Sequence, residues 1–258
     1  MAISKKSILL TGSKGLIGDL IKKKLGHKYN FFLTDRLIPQ DKDDETYFEL
    51  DISNFSKVKR VFEHIPKLEY IIHLAGDSNA NANWESALTN NIHGTWNIYK
   101  AASERKDIKR IIFASSNHIT GGYEYINGSK TQNLHNQESP SMISPQDLPR
   151  PDGPYGISKL TGEAIARYFY DCHNIESVCL RIGTVNTQNE PQCERESSTL
   201  LCWDDLIDLF ECAIQASNNF KGFGIYYGVS NNKKRFWDIS NATKEIGFSP
   251  KCVAQVFL

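Results

Sequence analysis

Thr11-Gly12-Ser13-Lys14-Gly15-Leu16-Ile17-Gly18 decides the fold. It follows the apolar run Ser7-Ile8-Leu9-Leu10-Thr11, which reads as a buried strand, and leads into residues 16–25, which carry helical periodicity. Glycine lets the chain turn tightly and come close to a pyrophosphate. The helix start adds unpaired N–H groups and the positive end of its dipole. A glycine-rich turn alone is weak evidence, but here the required strand and helix flank it. Gly12, Gly15, Leu16, Ile17 and Gly18 are therefore expected against a dinucleotide.

Working outward, residues 30–35, 47–51, 70–75, 110–114 and 178–182 read as further strands, with a short one at 225–229. Residues 58–64, 84–103 and 160–173 read as helices. Strands joined by helical crossovers imply an α/β fold, a doubly wound parallel sheet of the Rossmann type. The expected organisation is an NAD-binding domain over 1–182 and a small C-terminal substrate-binding lobe over 183–258, in one compact unit. Two polar, turn-rich stretches, 121–154 and 184–199, follow strand C-terminal ends. Ligands bind on that side of such sheets.

Asp35 closes the second strand, about twenty residues past Gly15, where a carboxylate accepts the ribose hydroxyls and repels a 2′-phosphate. That favours NAD as cofactor, although the adjacent Arg36 would tolerate NADP. Asp51 and Ile52, ending the third strand, are placed to bracket the adenine; alternatively Asp51 or Ser53 caps the next helix. His73, inside an apolar strand, reads as a core histidine.

Tyr155-Gly156-Ile157-Ser158-Lys159 is a Y-x-x-x-K pair opening a helix, which puts phenol and ammonium on one face. A nearby cation favours the phenolate, making Tyr155 a proton acceptor, while Lys159 also holds the nicotinamide ribose. Upstream, a strand ends in Ala114-Ser115-Ser116, where Ser116 offers a hydroxyl to the substrate oxygen. Ser116, Tyr155 and Lys159 form the expected catalytic set.

Composition excludes other classes. Lys+Arg and Asp+Glu both number 30, so there is no basic excess for nucleic acid. No run approaches the ~18 apolar residues of a membrane span, and no secretion signal is visible. The six cysteines form no C-x-x-C pair, which points to a reduced, cytoplasmic compartment. No metal site is expected.

These motifs occur in one order that resembles the extended short-chain dehydrogenases, the NAD-dependent epimerase/dehydratase family. His73-Leu74-Ala75-Gly76 and Asn91-Ile92-His93-Gly94 add to the likeness. Ser115-Ser116-Asn117-His118, Arg150-Pro151-Asp152-Gly153, Leu180-Arg181-Ile182-Gly183 and Ser198-Thr199 before Trp203-Asp204-Asp205 are most similar to uronate dehydrogenases. The resemblance implies that Leu74, Ala75, Gly76, Asn91, Lys159 and Ile182 touch the cofactor. It implies that Ser78, Ser116, Asn117, His118, Tyr155 and Thr184 meet the sugar, and that Arg195 clamps its carboxylate. Asn117 and His118 could equally brace a turn, and Arg195 could lie on the surface. The implied reaction is oxidation of galacturonate or glucuronate at C1 to an aldarolactone, by a homo-oligomer. The long connection from Ser116 to Tyr155, and Leu200-Leu201-Cys202-Trp203 where the family has an aromatic pair, depart from that pattern. A glucose-6-phosphate dehydrogenase, a sugar-nucleotide epimerase or dehydratase, and an NAD-binding sensor are the alternatives.

Overall fold

The computed structural model describes residues 5–37, 46–125, 134 and 141–255. Seven parallel strands form one sheet: β1 (Ser7–Thr11), β2 (Asn30–Asp35), β3 (Tyr47–Glu49), β4 (Tyr70–His73), β5 (Arg110–Ser116), β6 (Glu176–Ile182) and β7 (Phe223–Gly228). Their order is β3-β2-β1-β4-β5-β6-β7, so the connections leave in opposite directions between β1 and β4 and open a crevice there. The expected α/β doubly wound sheet is the one found.

The strands read as near-continuous apolar runs because helices cover the sheet's two faces. Side chains alternate between them: Ile8, Leu10, Ile72, Ile112, Val178 and Leu180 join the core under α1 (Leu16–Leu25) and α8 (Trp203–Gln215). Leu9, Ile71, Ile111 and Cys179 join the core under α2 (Phe55–His64), α4 (Gly94–Ser103) and α6 (Pro154–His173). Each such aliphatic side chain, fully buried, contributes about 1.5–3 kcal/mol over leaving it exposed.

Helix boundaries depart from the sequence reading for local reasons. α2 starts at Phe55 because the Asn54 side chain caps it, accepting from Lys57 N at 3.1 Å; Asp51 instead accepts the amide and hydroxyl of Ser53. Pro154 begins α6, which brings Tyr155 and Lys159 into its first turns. The helix expected at 84–103 is three pieces, α3 (Trp84–Ser86), a π-helical stretch (Ala87–His93) and α4. Of the connection at 121–154, Gly122–Tyr125 form the short helix α5, and Ile143 bridges to Trp237; 126–133 and 135–140 lie outside the described residues. The connection at 184–199 ends in α7 (Glu196–Thr199). The part after Ile182 also supplies β7, so it completes the sheet as well as covering it.

The cysteine reading is corrected. Cys202 and Cys252 form a disulfide, and Cys172, Cys179, Cys193 and Cys212 are free. The cause is the return of the C-terminal segment onto α8, where the Asp205 carboxylate accepts Lys251 N at 2.8 Å and Cys252 N at 3.1 Å. Cysteine usage therefore gives no support to a reducing compartment. No described helix is long and apolar enough to cross a membrane.

His73 is the core histidine its setting suggested: its ring nitrogens meet Thr11 Oγ1 at 2.9 Å and Thr95 Oγ1 at 3.1 Å. Burial, with Lys159 adding repulsion, pushes its pKa down to about 3. Above the ordinary value near 6.5 the ring is neutral folded and unfolded, so it adds no pH dependence. Below that value only the unfolded chain takes the proton, and stability falls until the folded pKa is reached. Denaturant titrations should show a loss on the order of 4 kcal/mol from this group between pH 6.5 and 3. His73→Asn should be less stable at pH 7.5 by about 1–3 kcal/mol, with a shallower acid limb.

Candidate active site

β1, β2, β4, β5 and β6 all end at one cavity of about 650 Å³, a size that suits a small-molecule site. Its floor is the turn after β1. Gly12 has φ +70°, and a Cβ there would lie 2.8 Å from Ala75 N, so glycine alone lets this turn rest against the end of β4. Gly15 caps α1 without any side-chain hydrogen bond, which leaves the first-turn N–H groups for an anion. Asp35 is pinned over the turn, accepting Lys14 N at 3.0 Å and Arg36 N at 2.8 Å. Leu16, Ile17, Gly18, Asp51, Ile52, Leu74, Gly76 and Ile182 line the same space. A glycine cradle, an uncapped helix start and a carboxylate at the strand end together fit NAD; Arg36 lines the cavity too.

The other half holds Ser78, Ser116, Asn117, His118, Tyr155, Lys159 and Thr184. β5 delivers Ser116, whose hydroxyl accepts His118 N at 3.2 Å and so starts the turn after the strand. α6 delivers Tyr155 and Lys159. A Cβ on Gly156 would lie 2.4 Å from the His118 carbonyl, so glycine lets α6 abut this turn. His118 packs edge-on against Tyr155, ring centroids 5.5 Å apart, and its Nδ1 bonds Asp152 Oδ2 at 2.7 Å. Thr184 Oγ1 bonds Thr199 Oγ1 at 2.9 Å.

Electrostatics differ from the sequence reading in one respect. Burial raises the Tyr155 pKa, the Ser116 hydroxyl pulls it back, and Asp77 and Asp152 raise it further. Lys159 supplies none of the expected lowering. Its ammonium donates to the Ala114 carbonyl at 2.8 Å, lies 5.6 Å from the phenol ring centroid, and is itself pushed down to about 8 by burial. Catalytic hydrogen bonds often tighten only when ligands arrive.

A buried network fixes α6 beneath these groups. Glu163, one turn after Lys159, accepts Arg181 Nε and Nη2, each at 2.9 Å, and the Ser115 hydroxyl at 2.7 Å. Arg181 Nη1 reaches Tyr227 OH at 3.3 Å, which meets Thr120 Oγ1 at 2.7 Å. Removing one member of such a buried pair typically costs about 3–5 kcal/mol.

Two expected site residues are not among those lining the cavity. Asn91 is buried on the π-helical stretch, where its amide accepts Asp77 N at 2.6 Å and donates to Asp77 O at 3.0 Å and Ser158 Oγ at 2.9 Å. Its neighbour Asn90, on the same π-helical stretch, does line the cavity. Arg195 is held by Glu124, with Nε to Oε2 at 2.5 Å and Nη2 to Oε1 at 2.9 Å. The fork expected to grip a sugar carboxylate thus already grips one from the chain. Lys14, a non-glycine position inside the glycine-rich turn, and Asn90 and Val185, which belong to no motif, also line the cavity and were not singled out by the sequence.

The chain matches the family described as NAD dependent epimerase/dehydratase over residues 8–202. It is 36% identical over 253 residues to a uronate dehydrogenase of Pseudomonas syringae pv. tomato, covering 97% of this chain and 83% of the relative. It is 33% identical over 251 residues to an NAD-dependent glucose-6-phosphate dehydrogenase of Haloferax volcanii, covering 95% and 92%. A uronate dehydrogenase variant from Agrobacterium tumefaciens, solved with NAD, aligns with a TM-score of 0.80 at 29% identity, over 97% of this chain and 86% of the other.

Asp35→Ala removes the carboxylate that favours unphosphorylated ribose. Calorimetric titration should find NAD binding weakened about tenfold, with NADP much less affected. Equal losses for the two dinucleotides would place the adenosine ribose elsewhere.

Proposed function

Since this chain belongs to the NAD dependent epimerase/dehydratase family, we propose that it is an NAD-dependent dehydrogenase oxidising the C1 hydroxyl of a pyranose sugar to a lactone. The observation that carries this is the convergence of Ser116, Tyr155 and Lys159 at the end of the cavity opposite Asp35 and Asp51. NAD, when bound, supplies the hydride acceptor. Tyr155 takes the C1 hydroxyl proton as the C1–H bonding pair leaves and the carbonyl forms. Ser116 holds the reacting oxygen and is the group that draws the Tyr155 pKa down, while Lys159, protonated below about pH 8, holds the nicotinamide ribose. Asn117, His118, Ser78 and Thr184 bind sugar hydroxyls, with Asp152 orienting the His118 ring.

Galacturonate and glucuronate are the first substrates to try, because relatives named uronate dehydrogenase span nearly the whole chain. A second reading, an uncharged aldose, is favoured by the pairing of Arg195 with Glu124. The sugar-phosphate reading has the Haloferax relative in its support. A homo-oligomer is also proposed. Trp84, Leu88, Trp96, Ile157 and Tyr168 expose 41–46% of their surface on and beside α3, α4 and α6, and Trp96 stacks on Tyr168.

NADH formation at 340 nm with a panel of hexuronates, aldoses and glucose 6-phosphate tests the reading. Turnover on at least one sugar is expected, and Tyr155→Phe should lower kcat by about 10²–10⁴-fold while NAD still binds. Undiminished turnover in that variant would remove Tyr155 from its role. Light scattering at micromolar concentration should give a dimer or larger mass, and a monomer would refute the assembly.

A further inference from the structure

The disulfide between Cys202 and Cys252 closes a clasp behind one wall of the cavity. Among the described residues Phe248 is the last that is buried; from 249 to 255 every side chain is exposed or half-buried, so packing holds this stretch weakly. It is tied down by polar contacts near the start of α8. The Asp205 carboxylate, 1% exposed, accepts Lys251 N and Cys252 N. Asn231 N donates to the Cys252 carbonyl at 2.8 Å, and Ala254 N donates to Asn232 Oδ1 at 2.9 Å. The disulfide adds a covalent tie from Cys252 to Cys202, the residue that caps α8.

The residues that receive this stretch also hold the cavity wall. Asn232 Nδ2 donates to the carbonyls of Ser198 at 3.1 Å and Leu200 at 2.9 Å. Ser230 N donates to the Leu200 carbonyl at 3.0 Å. The Ser230 hydroxyl accepts Cys202 N at 3.0 Å and donates to Asp205 at 2.7 Å. On its other side the stretch 198–202 pairs with Thr184: Thr184 N donates to Thr199 O and Leu201 N to Thr184 O, each at 2.8 Å. Thr184 and Val185 line the cavity on the side of Ser116 and Tyr155. A continuous series of hydrogen bonds therefore runs from 251–254 through Asp205, Ser230 and Asn232 to that wall.

We propose that the Cys202–Cys252 disulfide is a redox-controlled fastener of the sugar end. Closed, it keeps 249–255 on Asp205 and Asn232 and the wall in shape; reduced, it lets the stretch go and weakens sugar binding. The effect on sugar binding rests on the reading of the site as a C1 sugar dehydrogenase.

The step is thiol–disulfide exchange with a dithiol. Cys252 keeps part of its surface open between exposed Lys251 and Val253, whereas Cys202 is buried, so the thiolate attacks Cys252 Sγ. The S–S bond breaks, and its electron pair goes to Cys202 Sγ, which takes a proton. The reductant's second thiol then displaces Cys252, leaving two protein thiols and one disulfide in the reductant. Without the tie, the two backbone donors to Asp205 sit on an unburied stretch, the kind of segment that opens readily. Opening leaves a buried carboxylate two donors short, so Asp205, Ser230 and the stretch 198–202 must readjust.

The experiment uses the whole chain purified without reductant, before and after dithiothreitol, with Cys252→Ser as the variant that cannot close. Denatured samples should titrate the four thiols of Cys172, Cys179, Cys193 and Cys212 without dithiothreitol and all six with it. Reduction should speed tryptic cleavage after Lys251 by about tenfold or more, read by mass spectrometry after quenching and full reduction. It should lower the thermal midpoint by about 5–10 °C. KM for the sugar should rise about three- to tenfold with little change in kcat, and the Kd of NAD should stay the same. Cys252→Ser should match reduced wild type and ignore dithiothreitol, which separates the clasp from the other thiols. If Cys252→Ser does not fold, wild type in its two redox states still decides. Six free thiols without reductant, or cleavage and KM unmoved by dithiothreitol, overturns the fastener while C1 oxidation stands. Cleavage that responds while KM does not overturns its control of the sugar end. No turnover with any sugar in either state overturns the C1 reading and the effect on sugar binding with it, and the cleavage rate then judges the clasp alone.

Discussion

The site depends on a buried hydrogen-bonded junction where β1 and β4 end side by side. Thr11 Oγ1 accepts Leu74 N at 3.2 Å and Ala75 N at 3.1 Å, and meets His73 Nδ1 at 2.9 Å. His73 passes the contact on to Thr95 on α4. These bonds satisfy the backbone just where the two strands stop pairing, which a buried strand end requires. They also fix the glycine turn against Ala75, closely enough that Gly12 cannot carry a side chain. If the junction loosened, the crevice at the topological switch point would lose its floor.

The catalytic half has a different anchor. β5 and β6 are fixed by sheet pairing, but α6 must be held on them so that Tyr155 and Lys159 meet Ser116. The apolar side of that contact is Phe113 and Gly162: a Cβ on Gly162 would sit 2.3 Å from the Phe113 ring. The polar side is Glu163, tied to Ser115 and Arg181. Lys159 sits between these contacts, buried, on the Ala114 carbonyl. Its lowered pKa, about 8, follows from that burial and not from any neighbouring charge.

What was legible in the sequence was what is local. The glycine turn, Asp35 at the end of β2, and Y-x-x-x-K at the start of α6 are each set by spacing within one strand–turn–helix unit, and all of them line the cavity. Asn91 is not among the residues that line the cavity; it lies on a π-helical stretch, which sequence periodicity cannot reveal. Arg195 was identified as a guanidinium near the sugar end, but its partner Glu124 lies 71 residues away and has no motif of its own. The disulfide between Cys202 and Cys252 escaped notice for the same reason: it depends on a C-terminal segment returning to Asp205. Pairings made by tertiary packing leave little trace in a single sequence.

The central claim is that hydride leaves C1 of a sugar ring for NAD. The most direct measurement uses a sugar deuterated at C1 with the enzyme and NAD, followed by mass and NMR analysis of cofactor and product. Deuterium on the reduced nicotinamide, with a lactone as the other product, is the expected result. Reduced cofactor carrying no deuterium, with the label retained on the sugar, would contradict it.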